Sequence, residues 1–164
     1  MPHLDEETRP RKWLKQIDAR WRPQWVKADE AKPAEEMNPS DSAPKDPYAD
    51  RLGVKFDPIG ADGTVVAHLT VATRHLNHQG VVHGGVLFTI AESVLAKAGN
   101  SHGVTASTLD VAASFVAPAR AGDLITAEAK EVGLRRRTAV YTVTLTNQQN
   151  ETIAVFQGTA IRTS

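Results

Sequence analysis

Apolar and polar positions alternate in "GTVVAHLTV", residues 63–71, where Val65, Ala67, Leu69 and Val71 fall on one side. A two-residue period is the mark of a strand with one face in a core. The period changes over residues 84–99. There Val86, Leu87, Ile90, Ala91, Val94, Leu95 and Ala98 recur at helical spacing and cover much of the circumference, which predicts one long, mostly buried helix. "GNSHG" then supplies Gly99, Asn100 and Gly103 as stop signals. Alternation returns in "TASTLDVAASFV" through Leu109, Val111, Ala113 and Phe115, and Pro118 and Gly122 in "APARAGD" predict a turn or bulge. Three further strand patterns, "LITAEAKEV", "TAVYTVTLTN" and "ETIAVFQGTAI", are broken at Gly133 and at residues 147–150. Two strands, a helix and four more strands with short connections favour antiparallel pairing. The predicted class is α+β, an antiparallel sheet of five to six strands wrapped around one long central helix.

Residues 1–46 follow a different pattern and are expected to form an N-terminal arm to a domain spanning 47–164. "RPRKWLKQIDARWRPQWV" is basic and holds all three tryptophans, with Trp13, Ile17 and Trp21 spaced four apart as one apolar helical stripe. Pro23 opposes continuation of that helix. "ADEAKPAEEMNPSDSAPKDP" has scattered prolines, serines and acids without periodicity, the composition of a linker.

Composition narrows the function. Nineteen basic and nineteen acidic residues balance, so no global field favours nucleic acid or a membrane surface. The absence of cysteine removes disulfides, thiolate metal sites and a cysteine nucleophile. No stretch approaches the roughly 20 apolar residues of a membrane span, and "MPHLDEETRP" carries acids where a signal peptide needs basic and apolar residues. A cytoplasmic location is the expectation.

Candidate chemistry concentrates at the start of the long helix. A helix N-terminus presents unpaired N–H groups at the positive end of a dipole, and glycine lets a ligand oxygen approach them. His83-Gly84-Gly85-Val86 therefore reads either as an oxyanion or anion site or as a turn requiring positive φ. Glu92 stands in the otherwise apolar "FTIAESVLA", where an acid needs a function or a partner such as Lys97. Gly84 and Glu92 are eight residues apart, roughly 12 Å along the axis. One small reacting centre does not span that within a chain. If both serve one site, Gly84 comes from one chain and Glu92 from another, twice over in an isologous dimer. A zinc site from His75, His78 and His83 is conceivable by ligand type but lacks a fourth ligand, so no metal is expected. His75 and His78 read as polar loop residues.

"LNHQGVVHGGVLFTIAES", "STLDVAASFVAPARAGDLITAEA" and "YTVTLTNQQNETIAVFQG" together resemble the hotdog-fold acyl-CoA thioesterases, nearest the phenylacetic acid degradation branch. The resemblance covers roughly residues 47–164. It implies a helix wrapped by a sheet, dimers pairing into tetramers, and acyl-CoA as substrate with no separate cofactor. It assigns the Gly84 N–H to polarising the thioester carbonyl, with Gly85 beside it, and Asn77 to placing substrate or water. Glu92 falls on the catalytic carboxylate supplied by the opposite subunit. Thr108 matches a hydroxyl that holds the attacking water, and Asp110 follows two residues later. His83 is expected to fix the glycine turn through a hydrogen bond to backbone. The branch usually carries aspartate where this chain has Glu92, which leaves general-base activation of water or direct attack by the carboxylate open. CoA is polyanionic, so Arg135, Arg136 and Arg137 in "GLRRRT" are candidates for its phosphates, against the alternative of a solvated hairpin rim.

Aryl-acyl thioesters such as phenylacetyl-CoA or hydroxyphenylacetyl-CoA are the expected substrates. Medium-chain acyl-CoA hydrolysis, hydroxyacyl-thioester dehydration and non-catalytic acyl-CoA sensing are the alternatives.

Overall fold

The computed structural model describes residues 46–162. The tryptophan stripe and the linker expected before residue 46 lie outside the described residues. The described residues open with a short helix, α1 (Pro47–Leu52), which the apolar pattern does not reveal. Its signals are local. Asp46 caps it through Oδ1, which accepts the N–H groups of Tyr48 and Ala49 at 3.0 Å, Pro47 supplies the first turn, and Gly53 ends it at φ 90°. The other carboxylate oxygen of Asp46 accepts the Ser93 hydroxyl, which fastens α1 to the central helix.

Strands β1 (Lys55–Phe56) and β2 (Val65–Thr70) follow, then the long helix α2 (Gly84–Asn100), then β3 (Ala106–Phe115), β4 (Leu124–Leu134), β5 (Thr138–Thr146) and β6 (Thr152–Arg162). All pairings are antiparallel, in the order β1-β2-β4-β5-β6-β3. This is the expected six-stranded sheet around one helix, the hotdog arrangement. On β2, Val65, Ala67 and Leu69 are buried as the alternation predicts. On α2, Leu87, Ile90, Ala91, Val94, Leu95 and Ala98 are buried and Val86 packs at the edge of the core.

Three local expectations are corrected. Gly99 does not stop the helix but lies within it, where a Cβ would come 3.3 Å from that of Ala160 and 3.4 Å from that of Ala106. The end is made by Asn100, whose Nδ2 donates to the Ala96 and Ala106 carbonyls while Oδ1 accepts the Ala106 N–H, tying helix to β3. Gly133 does not break a strand; β4 runs through it to Leu134 with a bulge between Glu131 and Gly133, which a glycine accommodates. On β3 the register shifts between Thr108 and Asp110. Ala106 and Thr108 face inward before the bulge and Val111 after it, which leaves Leu109 outside, 60% exposed.

His75 is also not the exposed polar residue expected. It is buried, in a 3-10 turn (Thr73–His75), and its Nδ1 accepts the Ala72 N–H at 3.0 Å. Its Nε2 is buried with no well-formed hydrogen bond. Burial holds the imidazole below the ordinary value of 6.5, the neighbouring Arg74 charge adds to this, and the Leu52 carbonyl opposes it only in part.

Two outcomes follow. In Gly158→Ala the new Cβ would overlap Leu95 Cδ1 and lie 3.0 Å from the Asp110 carbonyl oxygen, so urea unfolding should show a loss of about 1–3 kcal/mol. His75 gives a pH dependence. The unfolded chain takes up the proton near 6.5 and the folded chain only lower, so stability is full above 6.5 and is lost as pH falls through the folded value. Denaturation at pH 7 and pH 5 should show a smaller acid loss in His75→Gln than in the parent; equal losses would refute this role.

Candidate active site

The start of α2 is built by its own N-cap. His83 has extended backbone (φ −64°, ψ 132°), its N–H donates to the His75 carbonyl at 2.8 Å, and its own carbonyl accepts the Val86 N–H at 2.9 Å. Its Nδ1 accepts the Gly85 N–H at 2.9 Å, which fixes Nε2 as the protonated nitrogen of the neutral ring. One donor of the exposed first turn is thereby used up. The Gly84 N–H has no acceptor among the described residues. The two glycines are needed for different reasons. A Cβ on Gly85 would press on His83 Nδ1 at 3.0 Å, and one on Gly84 would meet the Phe115 ring at 3.3 Å.

Asn77 shapes the preceding loop. Its Oδ1 accepts the N–H groups of Gln79 at 2.8 Å and Val81 at 3.4 Å, while its backbone N–H donates to the Val81 carbonyl at 2.7 Å. This closes residues 77–81 into a tight loop in front of the helix and commits the oxygen of the Asn77 amide. His78 is exposed on that loop, beside the exposed Gln79 and Gly80.

Glu92 is half-buried, and Oε1 accepts the Thr108 hydroxyl at 2.9 Å. Thr108 shares the inner face of β3 with Ala106, and the bulge that follows lets Val111, not Asp110, return to that face. Lys97 is not the partner of Glu92; its ammonium lies 4.6 Å from the centre of the Phe56 ring. Asp110, beyond the bulge, is exposed and pairs in register with Thr159. The structure thus joins Thr108 to Glu92, joins His83 to Gly85, and leaves Asp110 apart from both. Gly84, Phe88 and Glu92 fall four apart along one stripe of α2, so the backbone donor and the carboxylate share a face about 12 Å apart.

Beside Gly84 lies a cavity of about 380 Å³, lined by Val81, Val82, Gly84, Leu87, Phe115 and residues 116–119. Sequence patterning does not find it, because its walls come from the loop, the helix and the end of β3. Three of the four phenylalanines gather here. Phe115 and Phe88 each meet Phe156 edge to face, at 5.9 and 5.8 Å between ring centres. Phe156 is fully buried, while Phe88 and Phe115 remain 39% and 56% exposed.

Arg135, Arg136 and Arg137 are exposed on the β4–β5 hairpin. The hairpin is held by the Arg135 N–H on the Thr138 carbonyl at 2.7 Å and by Arg162 Nη1 on the Arg135 carbonyl at 3.2 Å. It adjoins the C-terminal end of α2, away from its own Gly84, where the Tyr141 hydroxyl lies 3.3 Å from the Ala98 carbonyl and 3.4 Å from Glu131. Burial, reinforced by the Glu131 carboxylate, pushes Tyr141 up to about 12, so it stays protonated. His102 closes this cluster at 2.7 Å from Glu131. Among the described residues no three His, Cys, Asp or Glu side chains are grouped to hold a metal ion, and no helix is long and apolar enough to cross a membrane.

Residues 79–154 match the thioesterase superfamily. The acyl-coenzyme A thioesterase PaaI of Escherichia coli K12 is 37% identical over 118 residues, 71% of this chain and 83% of that protein. The solved structure of the E. coli PaaI protein from the phenylacetic acid degradation operon superposes with a TM-score of 0.69 at 34% identity, covering 73% of this chain and 86% of that one. A mutant structure of the phenylacetic acid degradation protein PaaI from Thermus thermophilus gives 0.68 at 36% identity, covering 72% and 100%. Motif order, sheet topology and these matches agree: the chain belongs to the thioesterase superfamily, as a hotdog-fold, PaaI-type enzyme that hydrolyses acyl-CoA thioesters.

Proposed function

We propose that this enzyme hydrolyses aryl-acyl thioesters such as phenylacetyl-CoA or hydroxyphenylacetyl-CoA, at a site shared between two subunits. The observation that carries the reading is the single backbone donor at the start of α2. His83 occupies the Gly85 N–H, so the Gly84 N–H is the group left to receive a carbonyl oxygen. The helix dipole strengthens it as charge builds on that oxygen. Glu92 of the partner subunit is the general base. It takes a proton from water as the water oxygen attacks the carbonyl carbon, and the tetrahedral intermediate then collapses with cleavage of the C–S bond. The carboxyl returns the proton to the departing thiolate, giving free acid and CoA. Thr108 donates to Oε1 of Glu92, which holds the carboxylate and leaves Oε2 for the water. The amide nitrogen of Asn77 is available to substrate or water, since its oxygen serves the loop. Arg135, Arg136 and Arg137 suit the CoA phosphates by charge, and CoA, as part of the substrate, is the one coenzyme involved. The aryl preference rests on the likeness to the phenylacetic acid degradation proteins.

Sharing follows from the roughly 12 Å between Gly84 and Glu92. Two antiparallel copies of α2 bring each Gly84 to the other chain's carboxylate, in a dimer that pairs further into a tetramer. Phe88, midway on the stripe, then faces its own counterpart.

Glu92→Ala should lower turnover of phenylacetyl-CoA by roughly 10²–10⁴-fold in a thiol-release assay, with the oligomer intact by light scattering. Gly84→Val, which fills the approach to the N–H, should be similarly inactive. Co-refolding the two variants should restore about a quarter of parental activity, because half of the dimers are hybrids with one intact site. No recovery would place both groups in one chain. The chain has no cysteine, so Phe88→Cys provides a clean second check. Mild oxidation should give a covalent dimer on non-reducing gels, and a persistently monomeric band would contradict the antiparallel pairing.

A further inference from the structure

We propose that the cavity beside Gly84 receives the acyl group and that Phe115 is its specificity-determining residue. The inference rests on the thioesterase reading of the Gly84 site. A substrate whose carbonyl oxygen sits on the Gly84 N–H has two arms. The pantetheine arm carries two amides and a hydroxyl, which need hydrogen-bonding partners once water is removed. The side chains lining the cavity come from Val81, Val82, Leu87, Phe115 and the run from Val116 to Ala119, beside Gly84. Not one is polar. The polar atoms of the lining are backbone only, so the wall favours the hydrocarbon arm over the other. A volume of about 380 Å³ lies at the small end of ligand clefts, which run from roughly 300 to 1,000 Å³, and fits a short or single-ring acyl group better than a long chain.

Phe115 stands where selection is made. Its ring approaches the Gly84 backbone so closely that a Cβ there would be 3.3 Å from Cζ, which places the ring against any atom attached to a carbonyl held at Gly84. It is held by its edge-to-face contact with the buried Phe156 and yet 56% exposed, so much of the ring is still available to a ligand. An aryl group gains an aromatic contact here that an alkyl chain does not, a preference of roughly two- to tenfold.

The test compares the parent with Phe115→Leu, which keeps apolar bulk and removes the ring. The first readout is kcat/KM for phenylacetyl-CoA against hexanoyl-CoA. The second is calorimetric binding of the inert thioethers phenacyl-CoA and hexyl-CoA and of free CoA. The aryl-to-alkyl ratio should fall by roughly two- to tenfold in both readouts, with free CoA binding unchanged. Equal weakening of all three ligands, or no change in the ratio, would overturn the proposal. Normal aryl selectivity in binding without turnover of any thioester would instead sink the hydrolytic reading of the site and leave the pocket standing. Thermal unfolding of the variant separates loss of fold from loss of selectivity.

Discussion

The structure is organised by one helix that must be buried on almost every side and still begin somewhere. Burial of α2 by the inner face of the curved sheet supplies the core, and every strand contributes to that enclosure or extends it. A helix begins with N–H groups that its own turns do not satisfy, and here they lie at the exposed mouth of the enclosure. The chain resolves the problem unevenly. His83 satisfies Gly85, the His83 carbonyl receives Val86, and the Gly84 N–H is left over beside an apolar cavity. The free donor is thus a by-product of the packing problem. The same helix that makes the core stable brings a polarised donor to the edge of that core, where a substrate oxygen can complete the cap.

The bulge in β3 does comparable work at the other end of the stripe. A regular strand continuing the alternation of Ala106 and Thr108 would have turned the Asp110 carboxylate inward. One inserted residue keeps Thr108 inside, where its hydroxyl holds the Glu92 carboxylate at 2.9 Å, and brings Val111 in beyond it. A half-buried carboxylate needs such a donor, because burying its oxygens without a hydrogen bond costs free energy. Leu109 is left outside, 60% exposed on a strand whose one neighbour in the sheet, among the described residues, is β6.

The legibility of these features in the sequence divides along physical lines. The extent of α2 is legible because one residue in every turn reports on the same buried face, and that redundancy survives local exceptions. The alternation of β2 is legible for the same reason. The β3 bulge is not, since it is decided by register against β6, and Leu109 is as apolar as a core residue. His75 misleads because a histidine in a polar loop looks solvated until the turn that buries it is known. Helix α1 carries Asp46, Pro47 and Gly53 at the right places, but its six residues are too few for periodicity to register. At the site, Glu92 and the glycine pair stand out locally, as an acid in an apolar run and a helix entrance. The cavity does not, because its walls join the loop at Val81 to the end of β3 at Phe115, far apart in the chain.

What the fold leaves exposed bears on how the site is completed. Among the described residues eight large apolar side chains are more than a third exposed, and four of them, Phe88, Leu109, Phe115 and Val116, belong to α2 or to β3 and its end. Apolar exposure of this kind marks a surface with a partner, whether ligand or protein. Phe115 and Val116 border the cavity, so a ligand accounts for them. Phe88 and Leu109 lie elsewhere, the first between Gly84 and Glu92 on their stripe and the second on an edge strand. A small acyl group beside Gly84 does not reach from there to a carboxylate about 12 Å along the helix. The shared-site reading accounts for all four with one arrangement. A second copy of α2 laid antiparallel on the first would cover Phe88, close the open edge of β3 over Leu109, and bring to each Gly84 the carboxylate that its own chain holds out of reach.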